Sequence, residues 1–244
     1  MKPPILLVHG ACSQPAHLEP WRAAFAQAGF EVAAPALPGH LPGEEAALRR
    51  LGLRDGLAVL RETAGRFGRP PVVIGHSLGG LFAQQFAAAA DCAGIVLVGS
   101  MPTGTVPLSF GALPFLAPLA PAILAGRPFR VSREGLERLA LHDLARAEKD
   151  ELLPDFVAES GRLYREILFG RARLPAGAVR CPVLVVHGAA DRLVPLRVAR
   201  GLARRWRGEL AVIPNHGHWL VAGSLAAIVL PVIGEWIDRA VPAA

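Results

Sequence analysis

Lysine is almost missing from this chain. Of its 26 basic residues only Lys2 and Lys149 are lysine, and the rest are arginine, set among abundant alanine, glycine, proline and leucine. That mix reads first as coding bias and only second as a functional basic surface. Charge is scarce as well: charged residues make up 19% of the 244 positions and hydrophobic ones 52%, which excludes a disordered or fibrous chain and leaves ample apolar surface to offset chain entropy. The length suits one substantial domain, with or without an insertion, and is short for two independent cores. The cysteines, Cys12, Cys92 and Cys181, form no CxxC pair and are odd in number. This argues against a disulfide framework or a zinc site, and a reducing, cytoplasmic setting is expected. No secretion signal is expected either, because the first apolar run, Ile5 to Val8, is far too short for a signal-peptide core.

Two compositional features invite a binding function and are set aside. A net charge of +6 suggests nucleic acid, but the basic residues are scattered. Their densest group, Arg197, Arg200, Arg204, Arg205 and Arg207, shares a stretch with Leu196, Ala199, Leu202, Ala203 and Trp206 at helical spacing, so the arginines form a solvated helix face. Residues 92 to 126 hold no charged side chain, a run longer than the ~20 residues that span a bilayer. Pro102, Pro107, Pro114, Pro118 and Pro121 would break any such helix, so no stable membrane insertion is expected. A small-molecule partner, without nucleic acid, cofactor or metal, is the expectation.

Four apolar runs end in polar or glycine-rich turns: Ile5 to Val8, Val72 to Ile74, Ile95 to Val98 and Val183 to Val186. Runs without alternation suit strands of a parallel sheet covered on both faces. Weaker strands at Glu31 to Ala36 and Glu209 to Ile213 bring the set to about six. Helical patterns at Trp21 to Ala28, Leu53 to Phe67, Leu78 to Ala90, Leu196 to Trp206 and Leu225 to Arg239 alternate with them. The expected fold is an α/β, mostly parallel, doubly wound sheet with helices on both faces, binding its ligand at the carboxyl ends of the strands. Between 101 and 176 the alternation stops. A proline-rich apolar stretch precedes two amphipathic patterns, Ser132 to Arg146 and Asp155 to Phe169, predicting an inserted helical cap (101–176) on a core formed by 1–100 and 177–244.

Gly75-His76-Ser77-Leu78-Gly79-Gly80 places a G-x-S-x-G pattern between an apolar strand and a helical run. A serine on such a sharp turn, a nucleophile elbow, tolerates only small neighbours, and the helix that starts there aims free N–H groups at a developing oxyanion. Asp191 follows one later strand and His218 another. A serine hydroxyl needs an imidazole to take its proton and a carboxylate to hold that imidazole in one tautomer, so the three roles fall on three strand ends.

Together with His9-Gly10-Ala11, Leu37-Pro38-Gly39-His40, His187-Gly188-Ala189-Ala190-Asp191 and Gly217-His218-Trp219, this sequence resembles the α/β-hydrolase fold superfamily over nearly the whole chain except the cap. The resemblance implies a catalytic triad with Ser77 as nucleophile, His218 as general base, Asp191 as its orienting acid, and the backbone N–H groups of Ala11 and Leu78 as the oxyanion hole. His9-Gly10-Ala11-Cys12 is similar to the branch of small carboxylesterases, methylesterases and hydroxynitrile lyases. Gly10 and Trp219 stand where the lyases carry threonine and lysine, which disfavours cyanohydrin cleavage. Ala36 stands where many relatives are acidic, a change that bears on loop support.

The function expected is serine esterase chemistry on a small lipophilic substrate through an acyl-enzyme. Carbon–carbon or thioester hydrolysis on the same triad, or a hydrolase-fold receptor with little turnover, are the alternatives. Candidate substrate contacts are Cys12, Phe110, Phe115 and Leu116, with Leu108, Leu113, Leu119 and Ile123 beside them; the same stretch also suits the cap's own core. His9 is read as fixing its loop, His76 as packing under the turn, and Asp143 and Asp155 as lying on solvated faces. Ser100 is placed near the pocket border.

Overall fold

The structure, a computed structural model, describes residues 2–104 and 109–241. Six strands form one sheet in the order β2-β1-β3-β4-β5-β6. They are β1 (Ile5–Val8), β2 (Val32–Ala33), β3 (Val72–His76), β4 (Gly94–Val98), β5 (Val183–Gly188) and β6 (Glu209–Ile213), and every neighbouring pair is parallel. The apolar strands have this form because each one feeds two cores. Leu6, Val8, Val73, Ile95, Leu97, Val183 and Val185 point into one face. Ile5, Leu7, Val72, Ile74, Val96, Val98, Leu184 and Val186 point into the other. With side chains alternating at period two, a strand buried on both sides must be apolar throughout. β2 is shorter than the expected Glu31 to Ala36 run: only Val32 and Ala33 pair with β1, and Pro35, which has no N–H to donate, follows close behind.

The helices, in chain order, are α1 (Glu19–Gln27), α2 (Leu53–Ala64), α3 (Leu78–Ala87), α4 (Leu113–Leu116), α5 (Ala120–Leu124), α6 (Arg133–Gly135), α7 (Arg146–Leu152), α8 (Gly161–Leu168), α9 (Leu196–Trp206) and α10 (Ala226–Ala240). Helices α2, α3 and α9 cover one face of the sheet through Leu60, Phe82 and Trp206, and α1 and α10 cover the other through Trp21, Ile233 and Trp236. Among the described residues no helix is long and apolar enough to cross a membrane.

The segment between β4 and β5 is more broken than its periodicity predicts. The Ser132 to Arg146 pattern begins as expected, with Ser132 Oγ accepting from Gly135 N at 3.1 Å, but a π-helical turn at Leu136–Ala140 ends it, and α7 starts afresh at Arg146. The Asp155 to Phe169 pattern becomes helical only at Gly161, where Ser160 Oγ caps Leu163 N at 3.1 Å. Residues 156–160 stay extended because Glu159 pairs with Phe129 in an antiparallel bridge.

The sequence shows no cysteine pairing motif, yet the starts of β4 and β5 bring Cys92 and Cys181 together as free thiols with their sulfurs 3.2 Å apart. The parallel register makes this possible: Ile95 pairs with Val183, so the residues preceding both strands are neighbours.

A buried amide braces the sheet's carboxyl edge. Gln84, fully buried on α3, donates to Gly80 O at 3.0 Å and Met101 O at 2.9 Å, and its Oε1 accepts from Trp206 Nε1 at 3.0 Å. Trp206→Phe leaves that oxygen unpaired and is expected to lower stability by about 1–3 kcal/mol by urea unfolding. A change below about 0.5 kcal/mol, the range of ordinary surface substitutions, would remove the bracing role from this bond.

Candidate active site

Ser77 joins β3 to α3 with φ 52° and ψ −112°, in the left-handed half of backbone space that residues with a Cβ avoid. The turn is possible because its neighbours have no side chain. A Cβ on Gly75 would lie 2.1 Å from Gly79 O, and one on Gly79 would lie 2.2 Å from Val8 O. Backbone bonds on both sides clamp the turn to β4: Ser77 N donates to Val98 O at 2.9 Å, and Met101 N donates to Ser77 O at 3.0 Å. Leu78, the first residue of α3, has a fully buried side chain; what it offers is a backbone N–H at a helix start, which has no intrahelical acceptor.

His218 and Asp191 meet at the same edge. His218 Nδ1 lies 2.7 Å from Asp191 Oδ2, with the two side chains 2% and 0% exposed. The other carboxylate oxygen accepts from Leu193 N and Val194 N, both at 2.8 Å, so the aspartate is held from its own loop as well as by the imidazole. Burial by itself would raise the Asp191 carboxyl. The charge and hydrogen bond of His218, aided by His187 and the Val194 amide, outweigh burial and hold it below the ordinary carboxylate range. With Asp191 accepting at Nδ1, the neutral imidazole carries its proton there and leaves Nε2 as the basic nitrogen.

The other histidines are structural, each for a readable reason. His9 Nε2 accepts from Leu37 N at 3.1 Å, so its proton sits on Nδ1, which bonds Gly10 O at 2.9 Å. His76 Nε2 lies 3.0 Å from the carbonyl of His218 and ties that residue's backbone to the serine turn. His216 Nδ1 lies 3.4 Å from Asp143 Oδ2 and stands away from the cavity. Asp143 is not on a solvated face, because its carboxylate also accepts from Gly217 N at 2.7 Å, beside His218. A helical pattern in the sequence cannot signal this, since the partner is 74 residues away. Ser100 is likewise turned from the cavity, bonding Met101 O at 2.9 Å.

Ser77 and His218 open into one cavity of about 450 Å³. Ala11, Cys12, Val194 and Trp219 from the sheet-and-helix part line it, and Met101, Leu116, Leu119, Ile123, Phe129, Leu136 and Phe156 close it from the β4–β5 segment. Of the residues expected to contact substrate, Cys12 and Leu116 line this space, as do Leu113, Leu119 and Ile123. Phe110 and Phe115 do not. Phe110 is 92% exposed because the 3₁₀ turn Phe110–Ala112 spends its inward position on Ala112. On α4 the i, i+3 pair Leu113 and Leu116 takes the cavity face, and Phe115 packs by Gly135 instead. Leu108 lies outside the described residues. Tyr164 also lines the cavity, in keeping with its place on the apolar stripe of α8, as does Arg173, which lies beyond the helix end and which no sequence pattern marks. Cys12 is a wall and not a nucleophile: burial and the neighbouring Glu159 charge push its thiol up, keeping it protonated.

His9 and His76, both inside the protein, have pKa values lowered from 6.5 to about 3, in each case chiefly by burial. Below pH 6.5 the unfolded chain takes up protons that these native imidazoles refuse, so stability falls as pH drops from about 6.5 towards about 3. Urea midpoints measured across that range test the expectation, and a flat profile between pH 6.5 and 4 would contradict it.

A family model described as "Alpha/beta hydrolase family" matches residues 5–228. A pyrethroid hydrolase of Sphingobium wenxiniae is 23% identical over 228 residues, covering 86% of this chain and 78% of the relative. A crystal structure of a pyrethroid hydrolase superposes with a TM-score of 0.73 at 20% identity, covering 98% of each chain. The monoacylglycerol lipase of Paleococcus ferrophilus gives 0.75 at 21% identity, covering 97% of this chain and 96% of the lipase.

Proposed function

The chain belongs to the alpha/beta hydrolase family, and from that premise we propose that it is a serine hydrolase cleaving an ester-like bond of a small lipophilic substrate through an acyl-enzyme. One observation carries the reading: a serine on a strained turn and an imidazole bonded to a buried carboxylate open into the same apolar cavity. In the proposed reaction His218 Nε2 takes the Ser77 proton as Oγ attacks the carbonyl carbon. The negative charge that develops on the carbonyl oxygen is met by the N–H groups of Leu78 and Ala11. Leu78 sits at a helix start, and the Ala11 N–H is not used by the turn around it, whose bond runs from Ser13 N to Gly10 O at 3.4 Å. The protonated His218, stabilised by Asp191, passes its proton to the departing alcohol. It then takes a proton from the water that attacks the acyl-enzyme, and returns that proton to Ser77 Oγ as the carbonyl–Oγ bond breaks and the acid leaves.

The cavity supports the substrate class. Its volume lies within the ~300–1,000 Å³ typical of small-ligand sites, and its walls are mainly aliphatic and aromatic. The relatives' names, pyrethroid hydrolase and monoacylglycerol lipase, support hydrolysis of lipophilic esters. We assign the described part of the segment 101–176 the role of a cap over the site, whose apolar side chains cover the lipophilic part of the substrate.

Purified protein is expected to hydrolyse p-nitrophenyl esters and to be labelled by a fluorophosphonate at Ser77. Ser77→Ala should lower kcat/KM about 10⁴-fold or more. Asp191→Asn keeps an oxygen for the Leu193 and Val194 amides and so should fold normally, yet lose about 10⁴-fold in kcat by misdirecting the His218 tautomer. Wild-type turnover by Ser77→Ala would refute the assignment.

A further inference from the structure

We propose that Glu159 is a positioning residue for the oxyanion hole: its buried carboxylate holds the Gly10–Ser13 turn in the shape that directs the Ala11 N–H at the reacting carbonyl oxygen. The inference rests on the serine-hydrolase reading above and adds to it a residue from the β4–β5 segment that touches neither Ser77 nor the cavity.

Glu159 has a fully buried side chain with no arginine or lysine bonded to it among the described residues. Its Oε2 lies 3.1 Å from Cys12 N and 3.2 Å from His40 Nε2, and its Oε1 lies 2.6 Å from Ser160 N. A carboxylate taken out of water is costly unless its oxygens are met by donors, and here backbone N–H groups and an imidazole meet them. Packing alone would be served as well by an aliphatic chain of this length, so the charge has to be explained by what it holds.

It holds an unfavourable piece of backbone. Cys12 is the third residue of the turn that Ser13 N closes onto Gly10 O, and its φ is 56°, at a place where turns ordinarily carry glycine. A residue with a Cβ stays there only if its surroundings insist. Both of its backbone polar groups are taken by the same short stretch: the Cys12 carbonyl accepts from Val157 N at 2.8 Å, and the Cys12 N–H donates to Glu159. The Cys12 N–H belongs to the peptide between Ala11 and Cys12, so turning that peptide away would break the second bond and open the turn whose first corner carries the Ala11 N–H. His40 supports the arrangement from below. Burial opposes its protonation, but the Glu159 charge and hydrogen bond prevail and raise its pKa above the ordinary histidine value. Its ring packs 4.9 Å from His9, which bonds Gly10 O.

The test compares Glu159→Gln and Glu159→Leu with wild type, using a p-nitrophenyl ester for turnover and two inhibitors. One is a trifluoromethyl ketone, which adds to the serine and places an oxyanion in the hole. The other is a long-chain alcohol, which fills the cavity without reacting. The expected result is a fall in kcat of about 10- to 100-fold, with KM within twofold. Affinity for the ketone should fall in parallel and affinity for the alcohol should be unchanged. Glutamine, which still offers one oxygen to Cys12 N, should lose less than leucine. Should the leucine variant not fold, the glutamine variant carries the comparison. Unchanged kcat and ketone affinity in a folded variant, or equal losses for ketone and alcohol, would overturn the positioning role while leaving Ser77 essential. Full turnover by Ser77→Ala would instead overturn the underlying reading and this proposal with it.

Discussion

Ser77 occupies a sparsely populated backbone conformation that costs an ordinary residue about 1–3 kcal/mol, and the surrounding hydrogen bonds hold it there. On one side the N–H of Ser77 is bonded to the last residue of β4; on the other its carbonyl accepts from Met101 N, three residues past β4's end. The parallel register of β3 against β4, with His76 opposite Val98, brings those partners level with the serine. Gly75 and Gly79 let β1 and α3 close in until only hydrogen fits between them. The strain is thus held by the sheet itself, and the place of Ser77 in the cavity wall is a consequence of how β1, β3 and β4 pack.

Around that turn the protein sorts its imidazoles by what faces them. His9 and His76 bond backbone groups and pack against another imidazole, His40 and His218 respectively, so burial, aided by those neighbours, keeps them neutral and they serve as fixed hydrogen-bonding struts. His218 and His40 each meet a buried carboxylate, Asp191 and Glu159. Only the first of these pairs opens onto the cavity. An imidazole that must gain and lose a proton needs both a stabilising charge and access to a reacting group, and His218 alone among the four combines a bonded carboxylate with a place in the cavity wall.

The strands and the serine, aspartate and histidine at their ends were readable because each leaves a local mark: an unbroken apolar run, a glycine two residues to either side, a polar residue just past a strand. The two-faced core follows directly from those runs. Less was readable in the β4–β5 segment. A helical period in Asp155 to Phe169 is real from Gly161 onward, but the five residues before it are extended, tied through Glu159 to Phe129 by a bridge and to Cys12, 147 positions earlier, by a side-chain bond. Asp143 was hidden in the same way, by a partner in the Gly217 loop. Phe110 and Phe115 show a different limit. Hydrophobicity says that a residue prefers to be buried, while the face it turns to is set by short helical turns whose ends the sequence marks poorly.

The β4–β5 segment therefore carries two separable sets of residues. Aliphatic side chains of α4, α5 and the Leu136 turn line the cavity without a side-chain hydrogen bond to the sheet, so changing their size alters what fits while leaving the serine turn as it is. Asp143 and Glu159 bond the backbone on either side of the cavity, one at Gly217 next to His218, the other at Cys12 next to Ala11. A segment joined to the core only by apolar contacts would be free to slide, because such contacts have no fixed direction. Two directional, buried carboxylate bonds remove that freedom at the two loops whose geometry the proposed chemistry needs. Cavity shape can then vary while the orientation of the reacting groups stays constant.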